Sequence, residues 1–252
     1  MSNNIIVEGG FRAPAEAEEA STNRECFEKN PDSWEKKLES FPKYVRRQNL
    51  TRFLALYEIF KQVLDVKGSV VECGVHRGFG LMTWLKLSAL LEPVNLTRRI
   101  YGFDSFAGFP SVSEKDAPSM PANVRSGDLF SDSKEELEAL ISAHDKTRFL
   151  GHLWKAKLIQ GDAVQTIPAF IDENPHLLVS LLFLDFDLYE PTKVALSSFL
   201  PRMPKGAVIA FDELDNPLWP GETQAMLEVC GAGRLRLQRL PFDPYIAFAV
   251  VE

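Results

Sequence analysis

The chain has 252 residues, of which 45% are hydrophobic and 25% are charged, which is typical of a single α/β-sized domain with a sizeable core. Its formal net charge of −7 argues against a nucleic-acid partner, because such proteins neutralise phosphates with clustered Lys and Arg. The odd number of cysteines, Cys26, Cys73 and Cys230, indicates reduced structural thiols rather than a disulfide framework. No signal-peptide or membrane-helix pattern is present, so we expect a cytoplasmic protein with a small-molecule partner.

The N-terminal region differs in pattern from the rest of the chain. Residues up to about Thr22 are polar, acidic and alanine-rich without a clear period, and we predict a flexible arm over residues 1–32. Apolar residues then recur near helical spacing as far as Lys67, with an interruption around Pro42, which predicts two helices. A single domain is expected to cover residues 33–252.

The remainder of the chain alternates between strand and helix patterns. Strands are predicted at 69–73, 100–104, 157–161, 178–184 and 207–211, followed by a closing pair at 235–240 and 245–251. Helices are predicted at 80–91, 163–172, 191–200 and 222–230, with a long polar segment after the second strand. Strands separated by helices indicate right-handed crossovers and a doubly wound, mostly parallel α/β sheet. The short PFDP linker predicts that the closing pair is antiparallel.

Each predicted parallel strand ends in a carboxylate. These residues are Glu72, Asp104, Asp162, the pair Asp185 and Asp187, and the pair Asp212 and Glu213. One acid after a strand indicates only a turn or a helix cap, but parallel sheets bind ligands at the carboxyl ends of their strands. Clustered carboxylates raise each other's pKa unless hydroxyl groups, a cationic ligand or a metal compensates them. The pattern therefore favours a ligand rich in hydrogen-bond donors or positive charge.

Three glycines follow the first strand, in the stretch GVHRGFG at 74–80. The pattern E-x-G-x-x-x-G-x-G is not the dinucleotide fingerprint G-x-G-x-x-G, and Glu72 puts a negative charge where a phosphate would lie. An NAD-binding oxidoreductase is therefore disfavoured. Asp104, at the end of the second strand, is suitably placed for ribose hydroxyls. Together these features favour a cationic nucleoside such as S-adenosylmethionine.

Five stretches carry a family resemblance: VVECGVHRGFG, YGFDSFAGFP, LIQGDAVQTIP, LFLDFDLYEPT and FDELDNPLWPGET. Together they resemble the macrocin O-methyltransferase (TylF-like) family, and the resemblance covers about residues 45–252. It implies a Rossmann-like class I methyltransferase fold with seven strands, the last of them antiparallel. It also implies methylation of a sugar hydroxyl in natural product or polysaccharide biosynthesis, and a homo-oligomer.

The resemblance assigns contacts for S-adenosylmethionine. It implies Glu72 and Gly74 by the methionine moiety, Asp104 and Ser105 by the ribose, and Asp162 and Ala163 by the adenine. Asp185 is also expected at the cofactor, where it is our candidate for accepting the hydroxyl proton. The histidines that could replace it are His76, His144 and His152.

The resemblance also implies a magnesium ion held by Asp185, Asp212 and Glu213. This chain has Asp-Glu where Asp-Asp is usual in the family, and the longer arm shifts an oxygen by about one methylene. In the alternative interpretation, Asp185 binds cofactor or substrate and Asp212 caps the following loop, with no ion.

Two segments are expected to shape access to the site. Ser111 to Asp132 is long, polar and proline-bearing, which fits an active-site lid or a surface insertion. Trp219 lies between prolines and would stack on a sugar or pack on a neighbouring subunit. Tyr189 and Glu190 either contact the acceptor or cap their helix.

One further class of function stays open at this point. The domain could bind S-adenosylmethionine as a module without catalysis, although decay of the site would have removed residues such as Glu72, Gly74 or Asp185, and all three are present.

Overall fold

The structure is a computed structural model that describes residues 15–117 and 124–252. The chain divides into two compact units, Met1–Leu54 and Ala55–Glu252. The first unit contains α1 (Ala15–Lys29), α2 (Trp34–Glu39) and the beginning of α3 (Arg47–Lys61). Within the described residues, no helix is long and apolar enough to cross a membrane.

Helix α1 occupies much of the segment for which the sequence predicted a flexible arm. Glu16 and Glu18 lie in its first turn and Lys29 in its last, so these charges complement the helix dipole. Alanine and glutamate are strong helix formers, and they allow a helix without an apolar face. The part of the predicted arm before residue 15 lies outside the described residues.

The second unit is built around one seven-stranded sheet. Its strands are β1 (Ser69–Cys73), β2 (Ile100–Asp104), β3 (Ala156–Gln160), β4 (Val179–Leu184), β5 (Val208–Phe211), β6 (Gln238–Arg239) and β7 (Ala247–Val250). Its helices are the end of α3, α4 (Phe79–Leu91), α5 (Lys134–Asp145), α6 (Ala163–Glu173), α7 (Tyr189–Phe199) and α8 (Pro220–Val229). The strand order is β3-β2-β1-β4-β5-β7-β6.

The pairing confirms the predicted architecture. Strands β1 to β5 pair in parallel, whereas β7 is antiparallel to both β5 and β6. All residues of β1, β4 and β5 are buried, as expected for strands covered by helices on both faces. The strand order reverses between β1 and β4, so the crevice for a ligand lies at their carboxyl ends.

The structure departs from the predicted elements at three places. Helix α5 lies in the long polar segment after the second strand, for which no helix was predicted. Only Leu137 and Ile141 are buried along it, so its apolar stripe is narrow. Strand β6 has two residues rather than the six predicted at 235–240. Helix α8 begins at Pro220, because proline's fixed φ suits the first helical position.

The buried side chain of Arg98 links several segments of the chain by hydrogen bonds. Arg98 is 1% exposed, and its Nε donates to Glu92 Oε2 at 2.9 Å. Its Nη2 donates to the carbonyl oxygens of Val63 at 2.7 Å and Val66 at 3.0 Å, and Nη1 donates to Ser180 Oγ. The guanidinium group therefore donates hydrogen bonds both to the chain that leads into β1 and to Glu92 in the loop before β2.

Replacing Arg98 by methionine should lower the free energy of unfolding by about 3–5 kcal/mol, because Glu92 and two carbonyl groups would lose their buried partner. Urea denaturation followed by circular dichroism measures this change. The matched control is Arg99→Met next to it, for which we expect less than about 1 kcal/mol, since Arg99 is only partly buried. Equal effects of the two substitutions would contradict a structural role for the Arg98 network.

Candidate active site

A pocket opens at the carboxyl ends of β1 to β4. Its wall contains six of the seven residues predicted to contact the cofactor, namely Gly74, Asp104, Ser105, Asp162, Ala163 and Asp185. The rest of the wall comes from the loops after β2 and β4 and includes Phe109 and Leu188. The fold thus gathers residues that are more than a hundred positions apart in the sequence.

Glu72 is the predicted cofactor residue that does not line the pocket. It is 2% exposed, and a Cβ built on Gly80 would come within 2.4 Å of its Oε1. The carboxylate therefore packs under the first turn of α4, where the positive end of the helix dipole favours it. Gly80 provides the space for the Glu72 carboxylate beside the first turn of α4.

The backbones of β1 and β4 approach each other closely at Gly74. This residue has a φ of +96°, and a Cβ on it would lie 1.9 Å from the carbonyl oxygen of Asp185. The Asp185 amide donates to Cys73 O at 2.7 Å, and the Gly74 amide donates to Phe103 O at 2.9 Å. Only glycine fits here, and the contact fixes Asp185 at the base of the pocket.

Asp104 binds two turns through its carboxylate. Its Oδ2 accepts from the amides of Val75 and His76, both at 2.8 Å, and its Oδ1 accepts from the amide of Phe106 at 2.7 Å. Hydrogen bonds to a charged acceptor are roughly twice as strong as neutral ones. Asp104 therefore shapes the glycine turn after β1 and the turn after β2, besides lining the pocket.

The predicted adenine and ribose positions are likewise held by local hydrogen bonds. Asp162 is the N-cap of α6, and its side chain accepts from the Val164 amide at 3.0 Å. Ser105 Oγ donates to Gly108 O at 2.5 Å and accepts from the Ala107 amide at 3.0 Å. Both residues combine a structural role with a place in the pocket wall.

The acids after β4 and β5 lie at one edge of the sheet. The Asp212 amide donates to Leu184 O at 2.9 Å, so the ends of the two strands are adjacent. Asp185 and Asp187 both line the pocket, and Asp187 has a φ of +62°. Glu213 instead accepts a hydrogen bond from the side chain of Asn216, and its amide donates to Glu222 Oε1 at 2.9 Å.

The structure gives no support for the predicted three-residue metal set. In residues 15–117 and 124–252, no group of three or more His, Cys, Asp or Glu side chains is arranged to hold a metal ion. One member of that set, Glu213, accepts a hydrogen bond from Asn216 in the loop that follows β5.

Glu222 belongs to this acidic region and was not anticipated from the sequence. It is fully buried, and burial raises its pKa well above its usual range, with the charges of Asp212, Glu213 and Asp187 adding to the effect. A protonated Glu222 lowers the charge of the cluster. An acid in the first turn of a helix is so common that no sequence signal distinguished it.

Of the three candidate histidines, only His76 lines the pocket. Burial and the charge of Arg77 lower its pKa, so the imidazole is mainly neutral at neutral pH. The pKa of His144 is also lowered by burial, but neither His144 nor His152 lies in the pocket wall.

The access segments are partly fixed by packing. Trp219 contacts the ring of Phe109 edge-on, with centroids 5.9 Å apart, and Phe109 lines the pocket. Tyr189 is 2% exposed and outside the pocket wall, and its hydroxyl group bonds to Glu228 and to Lys193. Glu190 is exposed.

The segment predicted as a lid includes residues 118–123, which lie outside the described residues.

Comparison with known proteins identifies the family. The model of the macrocin-O-methyltransferase (TylF) family matches residues 44–228. This chain belongs to that family. The predictions of the family and of an O-methyltransferase are thereby confirmed, and so is the predicted class I fold.

Two solved structures and one curated relative are similar to this chain. CalS11, a calicheamicin methyltransferase, is 36% identical over 95% of this chain and 93% of its own, with a TM-score of 0.90. The apo structure of CalS11, described as a TDP-rhamnose 3'-O-methyltransferase of calicheamicin biosynthesis, is 34% identical over 95% of both chains, with a TM-score of 0.82.

The curated relative is an enzyme of Streptomyces olivaceus, 8-demethyl-8-(2,3-dimethoxy-alpha-L-rhamnosyl)-tetracenomycin-C 4'-O-methyltransferase. It is 27% identical over 148 residues, which are 59% of this chain. The match spans about half of that relative, 53% of its length.

Replacing Asp104 by asparagine should weaken binding of S-adenosylhomocysteine by about 10- to 100-fold, because three backbone amides would lose a charged acceptor and at least one of them would face an NH2 group that cannot accept. Isothermal titration calorimetry measures the affinity. Asp162→Asn is the matched control, since an asparagine side chain still caps α6, and we expect a smaller loss. An unchanged affinity in Asp104→Asn would place the nucleoside elsewhere.

Proposed function

We propose that this protein transfers the methyl group of S-adenosylmethionine to a hydroxyl group of a rhamnose-like sugar carried by a nucleotide or a natural product. The observation that carries the proposal is the pocket at the ends of β1 to β4, which gathers Gly74, Asp104, Asp162 and Asp185 in one wall. Family membership supports methyl transfer, and the activities for which CalS11 and the Streptomyces olivaceus enzyme are named support a sugar acceptor.

The cofactor is proposed to run along the ends of β1, β2 and β3. Its methionine part would lie over Gly74, its ribose by Asp104 and Ser105, and its adenine by Asp162 and Ala163. Among the residues that the structure describes, no lysine or arginine lines the pocket, which suits a cofactor that carries a sulfonium and no phosphate. Glu72 contributes indirectly, by holding the start of α4 beside the glycine turn.

Methyl transfer is an in-line displacement. The bond between sulfur and the methyl carbon breaks as the acceptor oxygen bonds to that carbon, and S-adenosylhomocysteine leaves. The reacting atoms need to come within about 3–3.5 Å, so positioning supplies much of the rate. We assign Asp185 as the general base that accepts the hydroxyl proton, since its backbone is fixed at the base of the pocket by the contact with Gly74.

With TDP-rhamnose as acceptor, Asp185→Asn should lower kcat by about 10²–10⁴-fold, the usual contribution of a general base, while S-adenosylhomocysteine still binds. Product formation is followed by mass spectrometry and binding by calorimetry. The exposed Asp172 on α6 provides the control, Asp172→Asn, which should behave as wild type.

Calorimetry also tests the competing functions. Binding of S-adenosylhomocysteine without turnover on any rhamnose acceptor would favour a non-catalytic binding module. Binding of NAD in its place would favour an oxidoreductase.

The magnesium ion implied by the family would be held by Asp185 and Asp212 rather than by the predicted set of three. These two acids follow adjacent strands, and magnesium in proteins commonly keeps several waters and uses one or two carboxylates. When bound, such an ion supplies a Lewis acid that lowers the pKa of the acceptor hydroxyl.

This assignment predicts different effects for the two acids after β5. Asp212→Asn should abolish stimulation of methyl transfer by added Mg²⁺ after EDTA treatment, whereas Glu213→Gln should retain it, because Glu213 is directed to Asn216. Glu213→Asp, which restores the usual Asp-Asp pair, should also retain it. Full activity of the wild type in EDTA would remove the ion from the proposal.

The sequence-based expectations of a cytoplasmic location and a homo-oligomer stay predictions. Light scattering of the purified protein at micromolar concentration tests the second, and a clean monomer would contradict it.

A further inference from the structure

The buried carboxylate of Asp116 holds the loop after β2 in place close to the pocket. Asp116 is 3% exposed and ends a short 3₁₀ turn, Glu114–Asp116. Its Oδ2 accepts hydrogen bonds from both the amide and the hydroxyl group of Ser113, each at 2.7 Å. These bonds fix the carboxylate with its second oxygen facing away from its own turn.

The second oxygen, Asp116 Oδ1, binds to the start of helix α7. Asp116 Oδ1 accepts from the amide of Tyr189 at 2.6 Å, and Tyr189 is the first residue of α7. A Cβ on Gly221 would lie 2.1 Å from Asp116 Oδ1 and 2.5 Å from the Tyr189 amide nitrogen, so the start of α8 packs against this bond. The loop after β2 and the first turns of α7 and α8 therefore meet at Asp116.

Lys115 makes further contacts with the same helices. Its Nζ lies 2.8 Å from Glu228 Oε2 and 3.8 Å from the ring centroid of Tyr189, and its carbonyl oxygen accepts from Gln224 Nε2 at 2.9 Å. The ion pair is partly exposed to solvent and contributes little by itself. Asp116 is the buried contact of this segment and the one whose loss leaves amide groups without a partner.

We propose that Asp116 is a positioning residue for the sugar acceptor, a role that rests on the proposed function. Two walls of the pocket depend on it. The first contains Phe109, Pro110 and Ser111, a few residues before Asp116, and the second contains Asp187 and Leu188, directly before Tyr189. The bond between Asp116 and the Tyr189 amide sets the width between these walls.

The proposed methionine and adenine positions belong to strands other than β2 and β4, whose following loops form the two walls. Gly74, Asp162 and Ala163 belong to the ends of β1 and β3, and no hydrogen bond of Asp116 involves them. Loosening Asp116 therefore affects the acceptor more than the cofactor. General destabilisation would weaken both.

The test compares Asp116→Asn with Glu114→Gln, a substitution at an exposed acid of the same turn. With TDP-rhamnose as acceptor, Asp116→Asn should raise the acceptor KM by about tenfold or more, because an asparagine amide cannot accept the bonds of both Ser113 and Tyr189. The Kd of S-adenosylhomocysteine should stay within about twofold of the wild-type value. Glu114→Gln should match wild type in both.

Ser113→Ala guards against an Asp116 variant that fails to fold, since it removes only one hydrogen bond. It should raise the acceptor KM in the same direction by a few-fold. Hydrogen exchange of the peptide covering 186–196 gives a readout independent of activity, and the Tyr189 amide should exchange faster in both variants than in Glu114→Gln.

The outcomes distinguish this inference from the proposed function. An unchanged acceptor KM, or an equal loss of acceptor and cofactor binding, would overturn the positioning role of Asp116. Unchanged hydrogen exchange in Asp116→Asn would overturn the anchor itself. A wild-type protein that binds S-adenosylhomocysteine but does not methylate TDP-rhamnose would overturn the acceptor assignment, whatever the exchange data show.

Discussion

The site depends on the close approach of two backbones at Gly74. A side chain there would overlap the carbonyl group of Asp185, so β1 and β4 can end side by side only because position 74 has no Cβ. This pairing places the switch in strand order, and with it the crevice, between these strands. The proposed base and the proposed methionine position are thus set by one steric constraint.

The carboxylates around this crevice have different surroundings and therefore different structural roles. Asp104 is surrounded by backbone amides and shapes two turns, whereas Glu72 and Asp116 are buried at or near the start of a helix. Burial raises the pKa of Glu222 well above its usual range, which favours the neutral form of this residue beside the acids after β4 and β5. An acidic rim is tolerated because most of its members have a structural role.

The sequence was informative where a local pattern has one structural meaning. Alternating strands and helices predicted the sheet, and strand-end residues such as Asp104, Asp162 and Asp185 reached the pocket as expected. The directions of Glu72 and Tyr189 could not be read in this way, because they depend on which face of the sheet packs against α4 and α7. Asp116 was missed for a related reason, since the Tyr189 amide that it binds is 73 positions away in the chain.

The attachment of the loop after β2 has an evolutionary consequence. The loop is tied to α7 at Asp116. Further along the chain, the hydroxyl group of Ser133 donates a hydrogen bond to the carbonyl oxygen of His76. Extending a loop between two fixed points costs little, about 0.6 kcal/mol for each doubling of its length. A further tie lies between them, because the Gly127 amide and Ser126 Oγ both donate to Phe109 O. The length of the loop can therefore vary between Asp116 and Ser126 while the methyl-transfer geometry is preserved, which would let related enzymes diverge in acceptor without re-evolving catalysis.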